Sequence, residues 1–179
     1  MIDESKIYRS RELYSSYINT HVMNVKIAYT KYIPVLHKIL KFSAIQLKIH
    51  LDTHDESKYS EEEFEPYRKR FFPADDSEAL KDGDIEFENA WKHHYSVNLH
   101  HPEWWICDNE PTEMQDIYLA EMILDWVAMG MYNHNNIYDY YEKNKDEKKK
   151  IMHPNTIQKL EKCLDAMKQF DKDNNLQTI

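Results

Sequence analysis

The sequence predicts an all-α protein. Two observations carry that reading: apolar residues recur at three- and four-residue spacing along most of the chain, and strict alternation over five or more residues is hard to find. At 179 residues the chain is long enough for one domain with a sizeable core and short for two, so a single domain is expected.

Residues 6–32 read as the first helix, with Tyr14, Ile18, His21, Val25, Ala28 and Tyr32 along one stripe. Pro34 is expected to close it. A second helical stretch over 35–51 carries Leu36, Ile39, Leu40, Ile45, Leu47 and Leu51, with a break near Ser43. Ser60 and Glu63 have the spacing of a capping box and would open a short helix over 61–71. The segment PADDSEALKDGD that follows is a surface loop by composition. Over 85–101, Phe87, Trp91, His94, Asn98 and His101 are spaced to share one helical face, which starts aromatic and ends in nitrogen ligands before Pro102. After the loop PEWWICDNEP, residues 112–132 place Met114, Tyr118, Glu121, Asp125 and Ala128 on one stripe, so an acidic pair faces inward. The run NKDEKKK reads as a solvated charge run. Pro154 then starts a last amphipathic helix with Ile157, Leu160, Leu164 and Met167 inward.

Composition excludes several function classes. The only glycines are Gly83 and Gly130, whereas a Walker loop or a dinucleotide fingerprint needs several close together. The net charge of -9 repels a phosphate backbone, so no duplex nucleic-acid partner is expected. No stretch approaches the length of a bilayer span, and no membrane association is expected. Cys107 and Cys163 are too few for a disulfide framework and the first residues, MIDESKIYRSRE, are charged, so a cytoplasmic location is expected. Ten histidines are the one unusual count.

Inward-facing histidine and aspartate on four helical segments call for an explanation, because buried ionisable groups are costly unless paired or bound to metal. His54 and Asp55 are adjacent, His21 lies on an earlier helix and Asp125 on a later one. Imidazole with carboxylate suits a divalent transition metal, Zn, Mn, Fe, Co or Ni, and the absence of nearby cysteines argues against a structural thiolate zinc site.

His21 in HVMNV, His54-Asp55 in HDESK and Asp125 in EMILDW resemble the H…HD…D pattern of the HD-domain metal-dependent phosphohydrolases. With His94 and then His100-His101-Pro102-Glu103, the order is similar to that of the HD-GYP branch. The phrases HDESK, AWKHHYSVNLHHPEWW and EMILDWVAM also resemble, more closely, an uncharacterised family of short bacterial and phage proteins. The likeness spans roughly residues 21–129 and leaves 130–179 as a C-terminal helical extension. It implies an HD-like helical bundle and a centre of one or two ions. His21, His54, Asp55 and Asp125 would hold one ion; Asp55 would bridge to a second, held by His94 and by His100 or His101. Lys58 would lie near a substrate phosphate. Two departures point away from cyclic di-GMP: Ser57 replaces the usual glycine, and Trp104-Trp105 stands where the GYP segment would follow. Tyr17 occupies the place of an acidic residue that serves a third metal in some HD-GYP proteins, which favours two ions over three.

The expected activity is therefore hydrolysis of a small nucleotide-like phosphate ester. Glu121, one turn before Asp125, is expected either to steady a ligating histidine or to act as a base. Of the adjacent histidines, His101 shares the face of His94, while His100 requires the helix to loosen before Pro102. His93 is turned about 100° from His94 on an ideal helix and is left out of the ligand set; His37, His50, His134 and His153 are expected to be exposed or structural. Trp104 and Trp105 are expected in the core, with stacking on a nucleobase as the alternative. Two other activities stay open: a di-iron oxygenase with HD-type ligands, and a phage or bacterial protein that sequesters a nucleotide or a protein without turnover.

Overall fold

The computed structural model describes residues 3–175. Among these the chain forms seven α-helices: α1 (Glu4–Leu36), α2 (Ala44–Asp52), α3 (Phe64–Phe71), α4 (Ile85–Val97), α5 (Asp116–Asn133), α6 (Ile137–Ile151) and α7 (Pro154–Asp173). The strands described are β1 (Ile106–Cys107) and β2 (Glu110–Pro111), an antiparallel hairpin, so the protein is all-α. No helix among the described residues is long and apolar enough to cross a membrane. The chain folds into two compact units, each discontinuous in sequence: residues up to Thr20 with Asp55–Asn98, and His21–His54 with Leu99 onward.

In the first unit, aromatic side chains supply the packing. The Tyr14 ring lies 5.1 Å from Phe64 and 5.8 Å from Phe72, and Tyr67 meets Phe87 edge-on at 5.4 Å. Arg68 is buried beside them and pairs through both terminal nitrogens with Glu78, which ties the 73–84 loop to α3. The 3-10 turn Glu56–Tyr59 precedes α3. The expected capping box does not form: α3 begins at Phe64, and Glu63 at its cap makes no capping bond because its carboxylate is taken by His93 and His94. Helix α4 also ends earlier than expected, at Val97. Asn98 adopts extended backbone and its side-chain amide donates to the His94 carbonyl at 2.8 Å, competing with the next turn of helix. His101 consequently does not ride the face of His94.

The second unit is built around α5. Its sequence DIYLAEMILDWVAMGMYN is apolar on nearly every side, and a helix apolar all round is driven to the centre. Every residue from Leu119 to Ala128 is buried, the two carboxylates Glu121 and Asp125 included. Val25, Ala28, Tyr32, Leu47, Leu51, Leu160 and Leu164 pack into the same core. Asp171 is fully buried and accepts from Tyr32 Oη at 2.7 Å and Tyr138 Oη at 3.1 Å, with Lys31 Nζ at 2.9 Å. Ile157, Leu160, Leu164 and Met167 of α7 are inward, as their spacing predicts.

Pro34 does not end α1, which runs on to Leu36. The proline gives up the bond its absent N–H would make and crowds the carbonyl one turn back, yet His37 N still donates to Ile33 O at 3.1 Å and the last turn is kept. The break at Ser43 is present: its hydroxyl accepts from Gln46 N at 3.3 Å and starts α2, whereas residues 37–40 turn instead of continuing the expected helix. The hairpin lies in the segment expected to be loop; Asp108 and Asn109, with φ of 51° and 66°, supply the two left-handed residues that such a two-residue turn needs. The charge run lies in α6, with Lys148, Lys149 and Lys150 in the last turn where they complement the helix dipole. The two tryptophans separate: Trp105 donates to Leu99 O at 2.7 Å and packs on Tyr118, while Trp104 is exposed.

Candidate metal centre

Because α5 is buried on all sides, its carboxylates must find donors inside the second unit, and histidines supply them. His21 reaches in from α1, and its Nε2 lies 3.0 Å from Asp125 Oδ1. His54, just beyond α2, directs its two ring nitrogens to different partners. Nδ1 donates to Glu121 Oε1 at 2.9 Å, and Nε2 faces His21 Nε2 at 3.4 Å and Asp125 Oδ1 at 3.9 Å. His100 stacks near His54, ring centroids 4.5 Å apart, with its Nδ1 3.5 Å from Glu121 Oε1. His101 follows at 4.3 Å from the His100 ring and is less buried.

Burial by itself would raise the Glu121 carboxyl, but hydrogen bonds from His100, His50 and His54 outweigh it and hold the group well below the ordinary carboxylate range. Asp125 follows the same logic: burial opposes the charge, and His21 and His54 overcome it. Both are therefore anions at neutral pH, acceptors only. An acceptor-only Glu121 calls for a proton on His54 Nδ1, which turns Nε2 toward His21 and Asp125.

The first unit carries further residues of this kind. Asp55 sits at a left-handed φ of 58°, where the chain enters the 3-10 turn. Its Oδ2 accepts from Lys58 Nζ at 2.6 Å, and its Oδ1 is 3.5 Å from His94 Nε2. The Lys58 ammonium is also 6.0 Å from the centre of the Tyr67 ring. His94 Nδ1 donates to Glu63 Oε2 at 2.8 Å. Burial pushes Glu63 upward, but His94 and the other donors around it leave the carboxyl below its usual value.

Of the residues the sequence singled out, His21, His54, His100, Glu121 and Asp125 come together in one unit, and Asp55, Lys58 and His94 in the other. His101 lies at the edge of its group, and His100, the alternative to it, is the buried member. Two participants were missed. His50 stacks on Tyr118 with Nδ1 3.5 Å from Glu121 Oε2, a bond that raises its pKa against the opposing effect of burial. Its signal was its place one helical turn before His54. Glu63 stands last in SEEEF, and nothing in one sequence tells which of three consecutive glutamates turns inward.

The chain matches the family of unknown function DUF5662 over residues 10–166 and belongs to that family. The matched span takes in every residue of both clusters and most of α7. Comparison with curated proteins and with solved structures returns no match.

Proposed function

We propose that this DUF5662 member is a metal-dependent phosphohydrolase or phosphodiesterase acting on a nucleotide-like phosphate ester, as its resemblance to HD-domain enzymes implies. One observation carries the metal part of the reading. His21 Nε2, His54 Nε2 and Asp125 Oδ1 form a triangle with edges of 3.4, 3.0 and 3.9 Å. Ligand bonds of roughly 2.0–2.2 Å place neighbouring donors on a tetrahedral or octahedral ion roughly 3.0–3.4 Å apart, so two edges already fit and the third needs a small contraction. The donor set is imidazole and carboxylate, suited to Zn, Mn, Fe, Co or Ni.

His21, His54 and Asp125 would hold one ion, and Asp55 with His94 the position for another. A bound ion supplies Lewis acidity, lowering the pKa of water and neutralising phosphoryl oxygens. The protein's own groups do the rest. Glu121 keeps His54 in one tautomer and one orientation, an arrangement that strengthens imidazole as a ligand. Already engaged by three histidines and held ionised, Glu121 serves as a positioning residue and leaves proton transfer to another group. Lys58 carries a positive charge that would face a non-bridging phosphate oxygen.

The test is elemental analysis of protein purified without chelator, before and after reconstitution with Mn, Fe, Co, Ni and Zn, followed by assay on a panel of phosphate mono- and diesters. One to two equivalents of metal with ester hydrolysis is the expected result. Protein that takes up none of these metals would overturn the reading; a filled site with no turnover of any ester would move it to oxygen activation or ligand sequestration.

A further inference from the structure

Two adjacent histidines of α4 converge on one buried carboxylate. Glu63 Oε1 accepts from His93 Nδ1 at 2.7 Å and Oε2 from His94 Nδ1 at 2.8 Å, and the glutamate side chain is fully buried. Neighbouring residues on a helix point about 100° apart, so a surface ion pair would engage one of the two. A buried carboxylate is costly, and an apolar side chain would serve packing better. What Glu63 adds is orientation. As an anion it can only accept, so of the groups around His94 Nδ1, with Ser57 Oγ at 3.3 Å and Asn98 Nδ2 at 3.2 Å, Glu63 is the one that calls for a proton there, and Nε2 lies 3.5 Å from Asp55 Oδ1.

In that tautomer both atoms would be acceptors, at nearly the spacing of two ligand atoms on one cation. Each is braced by a further side chain: His94 by Glu63, and Asp55 by Lys58 at 2.6 Å. Asp55 itself takes a left-handed φ of 58° as the chain enters the 3-10 turn that carries Lys58. Glu121 and His54 repeat the same arrangement in the other unit, again with a glutamate on Nδ1.

We propose that Glu63 is a positioning residue, which fixes His94 as the Nδ1–H tautomer and so sets the affinity of a divalent-cation position at Asp55 and His94. The cation part rests on the metal reading above; the tautomer part does not. Two measurements on the full chain decide between them. Long-range proton–nitrogen correlation spectra of metal-free, nitrogen-15-labelled protein read the tautomer of His94 directly, and calorimetric titration with Mn2+ and with Zn2+ counts and ranks the binding events.

In the wild type His94 is expected as Nδ1–H. Glu63→Gln, whose amide can accept from one histidine but not both, should lose that tautomer and weaken the second binding event about ten- to a hundredfold, leaving the first unchanged. Glu63→Asp should recover part of both, and His93→Ala should alter neither. A wild-type His94 protonated on Nε2 overturns the proposal without recourse to any variant, as does a Glu63→Gln protein with unchanged tautomer or unchanged second binding. A wild type that binds no ion overturns the metal reading instead, and the tautomer spectrum still decides whether Glu63 orients His94.

Discussion

Glu121 Oε1 lies 2.9 Å from His54 Nδ1, and this one hydrogen bond turns the other nitrogen of the ring toward His21 and Asp125. The carboxylate belongs to the buried helix α5 and the histidine lies just beyond the end of α2, so the bond ties the orientation of the ring to the core. Glu121→Gln keeps the shape but lets the amide present a donor to His54. Metal affinity should fall about ten- to a hundredfold, the usual loss when a ligating histidine loses its carboxylate partner. Competition against a chromophoric chelator measures it; an unchanged affinity would reduce Glu121 to a packing residue.

Acid should weaken the first unit through Glu78. Its hydrogen bonds with Arg68 hold the carboxyl down to about 2 from an ordinary 4.5. A carboxyl depressed in the folded state contributes stability that is complete above the unfolded value and is lost as pH falls through the folded one. The window is therefore from about 4.5 down to about 2. Melting temperature followed through that range should drop more steeply for the wild type than for Glu78→Gln, and parallel curves would deny the pair its role.

Helix type and order were legible because the apolar stripes set them, as α5 and α7 demonstrate. What escaped was decided by tertiary competition for single groups. Glu63 had the spacing of a cap, yet two histidines 30 and 31 residues away claimed its carboxylate. His101 had the spacing of His94, yet the Asn98 side chain ended the helix in between. His21, His94, Glu121 and Asp125 were legible from the stripes they lie on, and His54, Asp55 and His100 only from the motif they resemble; the pairing of His54 with Glu121 was not, because a hydrogen bond across 67 residues leaves no periodic trace.

Gly130 sits in the last turn of α5, and the chain reverses just beyond it through His134 at a left-handed φ of 54°. A Cβ at Gly130 would meet Asn135 O at 2.7 Å, a backbone atom that cannot swing away. Alanine ordinarily gains about 1 kcal/mol over glycine in a helix. Here the overlap should win, with a net loss of about 1–3 kcal/mol, the usual range for overpacking. Thermal or denaturant unfolding of Gly130→Ala measures the sign; a more stable variant would mean that the reversal after α5 yields easily.

Comparing Lys58→Ala with His54→Ala separates charge supplied to the substrate from metal binding. Lys58 is a cation whose ammonium contacts Asp55 Oδ2 at 2.6 Å. Its loss should leave that ion in place and slow ester hydrolysis about ten- to a thousandfold, the range for a removed electrostatic donor. His54→Ala should lose metal and activity together, and its melting temperature should no longer respond to added metal, because binding to the folded state alone raises stability. Lys58→Arg keeps the charge and should retain more activity than Lys58→Ala, although the guanidinium is wider and less easily accommodated beside Asp55. Metal content by elemental analysis and rates under saturating and limiting substrate read the contrast. Wild-type rates in Lys58→Ala would confine Lys58 to balancing the charge of Asp55, and full metal retention in His54→Ala would remove His54 from the ligand set.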